Sequence, residues 1–291
     1  MIKHNKLRMK IKKFLLSITF LFIYCSAVFY AGQVYAVDTQ ADKLTIIQVS
    51  DTHIDLDSKN KDKRMLGHSC ELLKTAVARI NAMPVDVVIF SGDIVNTSQE
   101  KNLVAFTKIA GALKHPWYVA LGNHDIAHDG DLTKARFYAL VNQANPYEHN
   151  KSSYFSFVPK AGYLIVVMDG VIDKHTSHGY FPPDELRWLA KQLDYYAQSK
   201  VVIVQHFPLV EPAGVIGHEI TDKEEYLSLL DHHPNVVAVL SGHYHQEKVM
   251  PRGKVTHVSA PALIQLPSRI ALVTVDRAAK VSASFVTVTQ D

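Results

Sequence analysis

Five times in this chain a short apolar run, mostly valine and isoleucine, ends just ahead of an Asp, Asn or His. Residues 44–49 precede Asp51-Thr52-His53, and residues 85–90 precede Gly92-Asp93. Residues 117–121 precede Gly122-Asn123-His124-Asp125, residues 201–204 precede Gln205-His206, and residues 236–240 precede Gly242-His243-Tyr244-His245. Continuous apolar runs of this length read as strands buried on both faces, the kind found in parallel sheets. In open α/β sheets, ligands bind in the crevice beyond the carboxyl ends of the strands. The five motifs, far apart in sequence, are therefore expected to meet in one place.

The stretches between the runs support this. Helical spacing is expected over 66–82, 101–113, 134–143 and 184–196, the last with Leu186, Leu189 and Leu193 on one face after Pro182 and Pro183. A strand pair is expected at 154–157 and 163–168, and a helix between 204 and 236. The tail, at 255–258, 270–275 and 281–288, has strand patterning without intervening helices. This order predicts a largely parallel core with added antiparallel strands.

Residues 1–36 stand apart. Six Lys/Arg and no acid in 1–13 precede an almost wholly apolar stretch at 14–32, and Val34-Tyr35-Ala36 ends in a small residue. This is the layout of a secretory signal peptide cleaved after Ala36, leaving a domain of residues 37–291. The alternative is an uncleaved anchor, since the apolar run approaches the ~18–20 residues that span a bilayer. Either way the folded part is expected to be periplasmic or secreted, touching a membrane only if the leader stays. The leader also carries the basic charge. The chain has 31 Lys+Arg against 28 Asp+Glu, and removing the leader's six bases leaves 25 against 28. No electrostatic case for a nucleic-acid surface survives, while a single small phosphorylated substrate stays open, since bound metals would supply local positive charge. Cys25 lies in the leader, so Cys70 has no intrachain disulfide partner.

Asp, Asn and His are oxygen and nitrogen ligands suited to Mn, Fe or Zn, and no Cys stands among them. Asp51 and His53 are two apart, so in extended chain they face the same side. His243 and His245 repeat that spacing, although from a loop they can also reach two different ions. Asp93 follows a glycine that permits a sharp turn, and its carboxylate can bridge two cations. Asn123 offers an amide oxygen and His206 an imidazole nitrogen. Two cations ~3.5–4 Å apart polarise a phosphoryl group and generate hydroxide from a shared water near neutral pH. His124 is placed to stabilise the transition state or protonate the leaving group, with Asp125 orienting its ring.

The set Asp-x-His, Gly-Asp, Gly-Asn-His-Asp, His and Gly-His-x-His resembles the calcineurin-like metallophosphoesterases, from residue 44 onward and in the family's order. The resemblance implies a four-layer αββα sandwich of two packed mixed β-sheets flanked by helices. It implies that Asp51, His53 and His245 hold one metal with Asp93, that Asn123, His206 and His243 hold the other with Asp93, and that His124 is the catalytic histidine. The expected cofactors are two divalent or mixed-valence ions. Purple acid phosphatases, which are relatives, carry a Tyr ligand near the place of Asn96, so a purple Fe(III) centre is not expected. Size and the Gly242–Gln246 ending look most similar to class III cyclic-nucleotide phosphodiesterases. The expected activity is thus hydrolysis of phosphodiesters through a metal-bridging hydroxide, with a 3′,5′-cyclic nucleotide as leading substrate. A secreted phosphomonoesterase that scavenges phosphate and a non-catalytic metal-binding scaffold are the alternatives. Asn96, His128 and His178 are second-rank candidates for substrate contact.

Overall fold

The computed structural model describes residues 43–288, apart from 62, 148–151, 175 and 215–216. The leader expected over 1–36 lies outside the described residues.

Two packed mixed sheets form the core. The first is built from β1 (Leu44–Val49), β2 (Val87–Ser91) and β3 (Trp117–Ala120), which run parallel. The tail adds β12 (Arg269–Val275), antiparallel to β1, and β13 (Val281–Thr287) beside it, giving the order β13-β12-β1-β2-β3. In the second sheet β5 (Tyr163–Val167), β7 (Lys200–Val204), β9 (Val236–Ser241) and β11 (Val255–Ser259) are parallel neighbours. Antiparallel β4 (Phe155–Lys160) and β10 (Lys248–Arg252) close its two edges. Every residue of β2, β5 and β9 is buried, as expected for parallel strands covered on both faces.

Helices α1 (Ser69–Ile80), α2 (Glu100–Ala110) and α3 (Lys134–Ala144) cross over in the first half, and α4 (Pro183–Tyr195) and α5 (Lys223–His232) in the second. Each buries one stripe. In α1 that stripe is Leu72, Leu73, Ala76, Val77 and Ile80, and in α4 it is Leu186, Leu189 and Leu193. Among the described residues no helix is long and apolar enough to cross a membrane.

Three features differ from expectation. The helix expected over 66–82 begins as a single 3₁₀ turn, Leu66–His68, before α1. Strand β10 has no apolar alternation to announce it, because it is a solvent-facing edge whose Pro251 donates no ladder bond. A further two-stranded parallel sheet, β6 (Gly179–Tyr180) with β8 (Ile220–Thr221), joins two loops that reading by periodicity leaves separate. Its consequence is local: it sets residues 176–178 beside residues 217–219, with Ser177 Oγ donating to the Gly217 carbonyl at 2.9 Å.

The first of those loops leaves β5 through Asp169, whose carboxylate accepts from Lys134 Nζ at 2.7 Å and Ser153 Oγ at 2.5 Å. The Asp169 N–H donates to buried Glu185 Oε1 at 2.8 Å. Burial, reinforced by the Asp169 charge, pushes the Glu185 carboxyl up from 4.5 to about 8. Within that window the folded chain holds a proton that the unfolded chain has released, so this group's contribution to stability falls as pH rises. Glu185→Gln keeps the acceptor and removes the titration. The variant is expected to gain on the order of 2 kcal/mol relative to the parent on going from pH 5 to pH 8, measured by urea unfolding. An equal difference at both pH values would mean Glu185 is ionised in the fold.

Candidate metal centre

The two sheets are stitched together where the strands end. Gln48, buried at the end of β1, donates through Nε2 to Ser91 Oγ of β2 and to the Ser241 carbonyl of β9, both at 2.9 Å. Leu263 N–H, beyond β11, donates to the Ser50 carbonyl beyond β1 at 3.0 Å, and within the second sheet Gly242 N–H donates to the His206 carbonyl at 3.0 Å. The fit is tight: a Cβ on Gly242 would lie 1.9 Å from Ser50 Oγ, and one on Gly92 (φ 92°) would meet the His206 ring at 2.5 Å. Only glycine permits the strand ends of the two sheets to approach this closely.

At this seam the backbone departs from strand geometry. Asp51 (φ 53°), His53 (φ 38°), Asp93 (φ 51°), His243 (φ 70°) and His245 (φ 56°) all lie in the left-handed region, which side chains with a Cβ avoid. The i, i+2 pairs therefore do not share a face by virtue of extended chain, as expected from the sequence. They are brought round by left-handed turns, a strain held in place by the surrounding packing.

The side chains form two cradles with one shared atom. Asp93 Oδ2 lies 3.6 Å from His53 Nε2 and 3.2 Å from His206 Nε2. On one side Asp51 Oδ1 lies 3.9 Å from His53 Nε2 and 3.1 Å from His245 Nε2. On the other, Asp93, His206 and His243 form a second group of mutually close ligand atoms. Asp51 Oδ1, His53 Nε2, Asn123 Oδ1 and His206 Nε2 are buried without a hydrogen bond of sound geometry. Buried polar atoms are rarely left so, and these four converge on the cradles. Oxygen and nitrogen donors with orphaned lone pairs fit two cations of the Mn, Fe or Zn kind.

Neighbouring groups orient the donors. The Ser91 carbonyl sits 2.9 Å from His206 Nδ1, which leaves Nε2 for a cation. Ser50 Oγ donates to Asp51 Oδ2 at 2.5 Å and His243 N–H to the same oxygen at 3.2 Å, turning Oδ1 inward. The Gln265 amide pairs with His245 Nδ1 at 2.9 Å, and His124 N–H donates to Asp93 Oδ1 at 2.9 Å.

The electrostatics agree. Burial opposes the charge on Asp51, yet His245 and His206 hold its carboxyl at about 2. Burial likewise opposes Asp93, and His206 and His124 hold it well below the carboxylate range. Burial, then the positive field of His206, lowers His243 to about 3, and burial with His124 lowers His53 well below its usual value. Both rings are thus neutral with a lone pair to give. His206 differs: against burial, Asp93 and Asp51 raise it to about 9. Without a cation a proton sits where the metal belongs. Metal loading at pH 7 is therefore expected to release about one proton per chain, measured by calorimetry in buffers of different ionisation enthalpy. Zero release would show that His206 is already neutral.

The cradles open into a cavity of about 550 Å³, within the range of small-molecule sites. His124 stands at its wall, its ring stacked on His128 at 3.9 Å and edge-on to His53 at 4.7 Å. His128 and His178 line the same cavity. Two expectations are corrected. Asp125 does not orient the His124 ring: its carboxyl accepts the N–H groups of Ile94, Val95 and Gly122 at 2.8, 3.0 and 2.7 Å, fixing the loops that carry Asp93 and Asn123. The carbonyl of Asn96 takes that role, 2.8 Å from His124 Nδ1. The Asn96 side chain faces Asp55, donating at 2.8 Å, and does not line the cavity. Arg64, Thr176, Ser177 and His218 complete the wall, and no motif in the sequence singles them out. Arg64 lies in a run of lysines that reads as solvated loop, and only the β6–β8 pairing brings His218 alongside His178.

A carboxylate shared by two nitrogen-rich cradles at the mouth of a polar cavity is the arrangement of a dinuclear metallohydrolase. A model of the calcineurin-like phosphoesterase family matches residues 44–247, and the chain belongs to that family. Among its relatives, a probable glycerophosphodiester phosphodiesterase GpdQ of Arcobacter nitrofigilis is 29% identical over 70% of this chain and 72% of its own. A 3′,5′-cyclic-nucleotide phosphodiesterase of Nostoc sp. is 22% identical over 75% of this chain and 78% of its own. The same fold occurs in a dimetal phosphatase of Danio rerio, with a TM-score of 0.64 and 16% identity over 84% of this chain and 99% of the other. The chain is a metal-dependent phosphoric ester hydrolase, and its relatives favour phosphodiesters.

Proposed function

We propose that the protein hydrolyses small phosphodiesters, with Asp51, His53, His245 and Asp93 holding one cation and Asn123, His206, His243 and Asp93 the other. The shared Asp93 Oδ2, between His53 and His206, is the observation that carries this reading. Bound there, two cations would neutralise phosphoryl charge and supply a water acidified enough to attack phosphorus. The protein's own share is positional. The Asn96 carbonyl accepts a hydrogen bond from His124 Nδ1–H, so the Nε2 of that ring is the nitrogen free to meet a phosphoryl or leaving-group oxygen. The hydrogen bond from His124 N–H to Asp93 ties that ring to the bridging carboxylate.

Relatives named for cyclic nucleotides and for glycerophosphodiesters supply two substrate classes. The described lining of the cavity is polar and rich in histidine, with no Phe, Tyr, Trp, Leu, Ile, Val or Met. It favours a diester with small polar arms. The leader reading places this activity outside the cytoplasm, with Mn, Fe or Zn as the metal.

Residues 37–291, stripped of metal and reloaded with Mn, should turn over a chromogenic phosphodiester faster than its monoester. Faster monoester turnover would move the assignment to a phosphate-scavenging phosphatase. Two bound metals without turnover of either ester would favour a binding protein.

A further inference from the structure

Among the described residues no carboxylate pairs with Arg64, a cation on the wall of the cavity. Its backbone is pinned by a bridge to Gln265, the residue whose amide holds His245, and by a reciprocal pair of bonds with Lys61 at 2.8 and 2.9 Å. Its side chain is half-buried and faces the same space as the cradles. Four other arginines meet carboxylates: Arg136 with Glu100, Arg187 with Asp184, Arg252 with Asp231 and Arg269 with Glu247. Among the described residues the Arg64 guanidinium has no such partner, and Asp93 is the one carboxylate in the described lining. Two cations would neutralise Asp93, which leaves the donors of Arg64 with no carboxylate of the described lining to meet.

The groups around Arg64 are polar and small. Thr176, Ser177 and His178 come from the loop before β6, and His218 from the loop before β8. His218 is half-buried. Its Nδ1 lies 3.2 Å from His243 Nε2, which places this wall directly beside the second cradle.

We propose that Arg64 anchors an anionic group, a carboxylate or a second phosphate, on the arm of the diester that extends away from the scissile phosphorus. Hydroxyls on that arm meet Thr176, Ser177 and the two imidazoles. This rests on the phosphodiesterase reading for its substrate, but it is a statement about binding, and binding can be read without turnover.

The test uses three methylphosphonate monoesters with ethyl, 2-carboxyethyl and 2-(trimethylammonio)ethyl arms, titrated by calorimetry into the manganese-loaded protein. The carboxyethyl ester is expected to bind tightest and the cationic one weakest. Arg64→Ala should shrink the preference for carboxyethyl over ethyl by about tenfold, the scale of a charge-assisted contact at a half-exposed wall. Arg64→Lys should restore part of it, and Arg64→Glu should reverse the order of the anionic and cationic arms. A preference unchanged in all three variants overturns the proposal, whether affinities fall together, as they would if Arg64 touched the scissile phosphoryl, or do not fall at all. The p-nitrophenyl diesters with the same arms then test turnover. Arm preference in binding with no hydrolysis of any of them would sink the phosphodiesterase reading alone.

Discussion

Asp93→Ala is expected to lower metal-dependent turnover about a thousandfold or more and to reduce bound metal to at most one ion per chain. Its Oδ2 is the atom nearest both His53 and His206, so no other side chain can replace it in both cradles at once. Its second oxygen accepts the His124 N–H, and losing that contact also frees the loop that bears the His124 ring. The fold should survive. Around the site the sheets remain joined by Gln48, by the backbone bond from Leu263 to Ser50, and by an apolar core that the substitution does not touch. The check combines metal analysis, thermal unfolding and turnover. Near-wild-type activity in a chain that still binds two metals would remove Asp93 from the centre.

His124→Ala should behave in the opposite way with respect to metal. The cradles keep their donors, so two ions should still bind, while turnover drops by about 10²- to 10⁴-fold, the range for a general acid or transition-state donor. The drop should be smaller for a diester with a good leaving group such as nitrophenolate, because that group needs no proton on departure. His124 also lies close enough to His53 and Asp93 to form a ligand group of its own. The metal count of the variant decides between the two roles: loss of an ion would make His124 a ligand.

Much of the site is legible in the sequence, and for one reason. A ligand at the carboxyl end of a parallel strand directly follows a buried apolar run, so Asp51, Asp93, Asn123, His206 and His243 are each flagged by the strand before them. Local pattern and tertiary position coincide there. They part company one layer out. Asp125 lies in a motif and Asn96 just behind one, yet it is the Asn96 carbonyl that meets the His124 ring, while Asp125 accepts backbone N–H groups. Whether a carboxylate meets a ring or a backbone N–H depends on how a loop from β2 lies against a loop from β3, and no spacing rule encodes that.

Strand order, too, was partly hidden. That β1 and β2 run side by side follows from the βαβ alternation, but the insertion of the tail at β12 beside β1 does not, since antiparallel pairing over such a separation leaves no local mark. Edge strand β10 lacks the apolar signal because one side of it faces water.

The sequence by itself determined which side chains are chemically competent and that the ends of five buried strands carry them, because hydrophobic burial and strand length are local properties of a chain. Only the tertiary structure decided the left-handed turns that aim the ligands, the sharing of Asp93 between two cradles, and the company of Arg64, Thr176, Ser177, His178 and His218 along the cavity wall. Those depend on distances between elements remote in sequence, fixed by two sheets packing at a glycine-lined seam, and such distances exist only once the chain has folded.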